Sequence, residues 1–111
     1  MSLIHQQAQS QTAIAFDEQI RSCVDRGLEA VGRHVKSVVY WHLQKRGNVR
    51  KVDIPSNPEM FVKGLHLLYG ESAIGVERAI LHEVNACFQM NCSLETGLVD
   101  AINRARSKIR N

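Results

Sequence analysis

The chain has 111 residues, 44% of them apolar by the AVILMFWYC count and 23% charged, with seven glycines, two prolines and a net charge of +3. That size and balance admit one small domain with one core, and they exclude collagen-like, compositionally disordered and multi-domain chains. No run approaches the roughly 18 apolar residues of a membrane span, and Met1-Ser2-Leu3-Ile4-His5 lacks the basic start and long apolar stretch of a signal peptide, so a cytoplasmic protein without a membrane partner is expected.

The charge is segregated. Residues 1–29 carry a net −2, residues 30–52 carry +6 without a single acid, residues 53–100 carry −5, and the last eleven residues carry +4. Such blocks suit phosphate backbones, or complementary contacts between two copies of the chain, and net charge alone does not choose. The three cysteines, Cys23, Cys87 and Cys92, are an odd number without CxxC spacing, which argues for reduced thiols over a disulfide framework or a zinc knuckle.

Taken in chain order, residues 1–12 hold four glutamines and no apolar period, and are expected to be a flexible tail ahead of a single domain over 13–111. From Phe16 the apolar side chains step by three and four through Ile20, Val24, Leu28, Val31, Val35, Val38 and Val39 to His42 or Leu43, the signature of helix. Gly27 and Gly32 interrupt this stripe, so residues 17–46 read either as one long helix or as two that meet there, and Gly47-Asn48 ends it. Pro55 makes residues 48–57 a crossing loop with Ile54 as its apolar anchor. Asn57-Pro58-Glu59 has the grammar of a helix start, and the stripe Phe61, Leu65, Leu68 with Val62 and Tyr69 runs to a stop at Gly70. A fourth helix is predicted over Glu71–Gln89, burying Ile74 or Ala73 with Val76, Ile80, Leu81, Val84, Cys87 and Phe88. The fifth is expected to be capped by Ser93, with Leu94, Leu98, Ala101 or Ile102, Ala105 and Ile109 on its inner face. No segment has strand period, so the fold class is all-α: a compact bundle of about five helices in orthogonal or up-down packing.

Several blocks carry a resemblance. Gly27-Leu28-Glu29-Ala30-Val31-Gly32, Val35 through Leu43, Asp53-Ile54-Pro55, Asn57-Pro58-Glu59-Met60-Phe61-Val62, Leu68-Tyr69-Gly70 and Val76 through Leu81 are similar to an archaeal Nitrosopumilus-type output domain family over about residues 27–88. The resemblance implies a small helical domain in an archaeal cytoplasm, in a signalling context, with an unknown protein partner and no catalytic residues to carry over.

The residues support a binding role more than chemistry. Tyr40-Trp41-His42 spreads three rings around about two-thirds of a helix turn, so one must leave the core, and Tyr40 with Trp41 are the candidate partner-binding residues of an expected homodimer. The five histidines include no HxxxH pair, and His82 with Glu83 and Cys87 diverge around one helix, so no metal or other cofactor is expected. No phosphate loop, nucleophile elbow or triad order is present, and the protein is not expected to be an enzyme. The alternative is a small nucleic-acid-binding protein using Lys45, Arg46, Arg50 and Lys51, four bases within seven positions, although that tract lacks a helix face of base-reading side chains.

Overall fold

In the computed structural model the backbone is described from Ser2 to Arg110 and the side chains from Ile14 to Ile109. The protein is all-α: α1 spans Ser2–Val31, α2 Val35–Gly47, α3 Pro58–Tyr69, α4 Ala73–Phe88 and α5 Leu98–Arg110, with 3₁₀ turns at Lys51–Asp53 and Gly70–Ser72 and no strand among the described residues. The expected tail over residues 1–12 lies outside the residues whose side chains are described, although α1 itself begins at Ser2.

The core is built on an antiparallel pair, α1 and α4. Phe16 meets Phe88 with ring centroids 5.6 Å apart, while about three turns further along α1 Gly27 lies against Ile80. An added Cβ at Gly27 would sit 2.7 Å from the Cα and Cγ1 of Ile80, so only glycine lets the two backbones approach this closely. Around that contact Ile20, Val24, Leu28, Ile80 and Val84 are fully buried, each removing its apolar surface from water. The break in the long stripe therefore falls at Gly32-Arg33-His34, not at Gly27, and the sequence's choice between one helix and two resolves to two.

Asn48 takes the left-handed conformation that closes α2, and Val49 donates its N–H back to the Leu43 carbonyl at 3.1 Å. Ile54 and Pro55 anchor the crossing loop in the core, and Arg106 of α5 donates to the Pro55 carbonyl while its guanidinium lies 5.3 Å over the Phe16 ring. Asp53 accepts from both the backbone N–H and the side chain of Arg50 at 3.2 Å, which closes the Lys51–Asp53 turn and holds the Asp53 carboxyl below the usual carboxylate range. α3 starts at Pro58 as the sequence predicts, but the Asn57 side chain makes no capping hydrogen bond. Gly70 then turns the chain with φ +59° and ψ −133°, so the fourth helix starts at Ala73 after a 3₁₀ turn and not at Glu71.

α5 also begins later than expected, at Leu98. Ser93 does not cap it: its hydroxyl accepts the Thr96 N–H inside a separate turn, and the first helical bond runs from Ala101 N–H to the Gly97 carbonyl. That turn is fastened to α4 by one amide, since Asn85 Nδ2 donates to the Cys92 carbonyl at 2.9 Å and Asn85 Oδ1 accepts the Cys92 N–H at 3.0 Å. Lys108 reaches across to donate to the carbonyls of Phe88 and Gln89, which neutralises the negative end of α4.

Candidate interaction surface

α2 positions the residues singled out in the sequence. Its apolar side chains lie on two sides of the helix, and only one side is covered: Val39 and Leu43 are buried, whereas Val38 is 44% and Trp41 57% exposed. Apolar side chains on both sides of a helix call for cover on both sides. Here the outward side faces solvent.

Tyr40 and Trp41 part company. Tyr40 turns inward and donates its hydroxyl to Asp25 of α1 at 2.5 Å; burial first, and the neighbouring Asp25 carboxylate second, push its phenol well above the ordinary tyrosine value. Asp25 also accepts from Lys51 Nζ at 2.9 Å, so a single carboxylate ties α1, α2 and the crossing loop together. Trp41 points outward, packs edge-on to His42 with centroids 4.9 Å apart, and has Lys45 Nζ 5.4 Å from its ring.

Beside this ring, α2 and α3 leave a cleft of about 290 Å³ lined by His42, Leu43, Arg46, Gly47, Gly64, Leu67 and Leu68. Gly64 lets α2 and α3 close in at this point, because the Leu43 side chain occupies the place its Cβ would take. Leu67 stands at its edge 81% exposed, the most exposed large apolar side chain described, and Met60 lies about two turns away on α3 at 41%. Leu67 was missed in the sequence because it lies off the α3 stripe; the available signal was an apolar pair, Leu67-Leu68, that a single helix face cannot bury. No acid lines the cleft. Lys45, Arg46 and Lys63 of these two helices make no ion pair among the described residues.

The four-base tract does not act as one patch. Lys51 is paired with Asp25 and lies over the Tyr40 ring, and Arg50 is paired with Asp53, which leaves Lys45 and Arg46 as its uncompensated charges. Elsewhere, His66 Nε2 and Glu77 Oε2 meet at 2.7 Å across the α3–α4 turn, but no hydroxyl or thiol among the described residues hydrogen-bonds to that imidazole. A broader polar groove runs along α5 past Asn91, Ser93, Asp100 and Arg104 to Lys108, whose ammonium is already bound to the end of α4. No group of three or more His, Cys, Asp or Glu side chains among the described residues converges as a metal site would require. No helix described is long and apolar enough to cross a membrane.

Comparison with protein-family models, with curated proteins and with solved structures found no match.

Proposed function

We propose that this protein is a non-catalytic protein-interaction domain of the signal-output kind, and that the α2–α3 face docks an acidic amphipathic segment of a partner protein. The observation that carries the reading is the uncovered side of α2: Val38 and Trp41 stand in solvent beside an apolar cleft edged by Leu67, with Lys45, Arg46 and Lys63 around it and no acid in its lining. Tryptophan in a desolvated contact is the commonest kind of interface hot spot, and a cationic rim selects against basic partners while steering acidic ones. The homodimer expected from the sequence is the rival occupant. Isologous pairing through this face would set Lys45 and Arg46 near the same cations of the second copy, so charge complementarity favours a foreign acidic surface.

The test is a displayed library of helical peptides selected against the full chain, with Trp41→Ala as the counter-target. The expected winners carry apolar residues at i and i+4 flanked by Asp or Glu, lose at least about tenfold in affinity against Trp41→Ala, and shift the emission of Trp41, the chain's single tryptophan, to the blue. Enrichment of basic peptides, or binding indifferent to Trp41→Ala, refutes the reading. A dimer by light scattering that Trp41→Ala dissolves would give the face to a second copy. A salt-dependent shift of a labelled duplex at micromolar protein would move the function to nucleic acid through Lys45 and Arg46.

A further inference from the structure

Cys23 of α1 and Cys87 of α4 face each other across the most tightly packed helix pair. Cys23 is completely buried, and its Sγ lies 3.6 Å from the Glu83 carbonyl, one turn before Cys87 on α4. That carbonyl is the one the Cys87 N–H takes up in the i to i−4 ladder of α4, so Cys23 and Cys87 lie at neighbouring levels of the helix pair. One turn along α1, the Gly27–Ile80 contact brings the two backbones together, which is the condition an interhelical disulfide needs. Arg26 Nη2 lies 3.7 Å from the Cys23 sulfur, and its Nε pairs with Glu83 at 3.4 Å. The third cysteine, Cys92, lies beyond the end of α4 with its backbone clamped by Asn85.

We infer that Cys23 and Cys87 are a modification site: a peroxide oxidant converts them to an intramolecular disulfide that locks α1 onto α4, and a thiol reductant releases it. The half-buried Cys87 reacts first, its thiolate taking one oxygen from hydrogen peroxide to give a sulfenic acid and hydroxide. The Cys23 sulfur then attacks the Cys87 sulfur; the S–O bond breaks, and the sulfenic hydroxyl leaves as water with the Cys23 proton. Overall, two thiols and one peroxide give one disulfide and two waters. The order follows from environment, because burial above all pushes the Cys23 thiol up to about 12 and makes it a poor first target, while Cys87 is within reach of solvent. The Arg26 guanidinium beside Cys23 favours the thiolate as it forms.

The experiment uses the full chain, reduced, freed of reductant, treated with a small excess of hydrogen peroxide, alkylated and mapped by mass spectrometry without reduction. The expected result is a monomer two hydrogens lighter, a linked peptide pair containing Cys23 and Cys87, Cys92 alkylated, full reversal by dithiothreitol, and the same outcome in Cys92→Ser. Because the bond closes a loop of about 60 residues, the oxidised protein should melt on the order of 10 °C higher than the reduced one. A bond to Cys92, a bond between two chains, or Cys87 driven to sulfinic acid with Cys23 still free each overturns the inference. The mapping is made on the wild-type chain, so it does not depend on whether Cys23→Ser folds.

Discussion

Gly27→Ala isolates the contact on which the α1–α4 pair is built. In a helix interior alanine is favoured over glycine by about 0.8–1 kcal/mol. At Gly27 the new methyl would fall 2.7 Å from the Ile80 Cα and Cγ1 and 2.9 Å from its backbone N, so part of the clash is with main chain that no rotamer can move aside. Overpacking of a close-packed core costs about 1–3 kcal/mol, and a backbone collision belongs at the upper end. The net expectation is a loss of about 2 kcal/mol, which for a domain of this size lowers Tm by roughly 8 °C. Gly75→Ala is the matched control: Gly75 lies in α4 with nothing within 4 Å of the added carbon, and that change should stabilise by about 0.5 kcal/mol. Both variants are read by thermal and urea melts followed by circular dichroism. A Gly27→Ala protein as stable as wild type, or a Gly75→Ala protein destabilised to the same degree, would show that the helices are not held at glycine distance and would refute the argument.

Tyr40→Phe removes the hydrogen bond to Asp25; because Asp25 keeps Lys51, the loss should be about 1.5 kcal/mol in a urea melt. The native state holds the Tyr40 proton more tightly than the unfolded chain does, so this group's contribution is complete below about pH 10 and is lost as the pH rises toward its native value. Cys23 acts in the same direction between its ordinary value of 9.0 and about 12, so wild type should lose Tm above pH 9, and Tyr40→Phe should lose less of it above pH 10. Gly70→Ala meets no neighbour but must hold φ +59° with ψ −133°, and should cost about 1–2 kcal/mol by urea melt through backbone strain alone. Trp41→Ala, by contrast, should change stability by no more than about 0.5 kcal/mol, which qualifies it as a docking probe.

Much of the bundle is legible from local pattern. Ile20, Val24, Leu28, Phe61, Leu65, Ile80 and Val84 are where a 3.6-residue period puts them, and Pro58, Asn48 and Gly70 punctuate the chain as their backbone chemistry dictates. What local pattern misses is decided by partners distant in sequence. Val31 and Val38 continue the stripe on paper, yet both are exposed, because α2 leaves α1 at Gly32 on a new axis and its outer side meets nothing. Gly27 looks like a helix breaker and is a packing contact with a residue more than fifty positions away. Tyr40 and Trp41 are indistinguishable as aromatic neighbours until Asp25 draws one of them inward. Ser93 has the right side chain for a cap, but the Asn85 clamp on Cys92 and the turn through Thr96 postpone the helix to Leu98.

The Asn85 carboxamide stands in for a piece of backbone, giving and taking with Cys92 as a neighbouring strand would. The reversal of the chain after α4 is thereby specified from within α4 itself, and Lys108 reinforces the same spot from α5. Glu95, exposed within the Ser93–Thr96 turn that follows, makes no side-chain hydrogen bond among the described residues. Extra residues spliced in there would lengthen the span without re-aiming α5, which makes this the natural place to graft a tag, a fluorophore or a second domain onto the bundle.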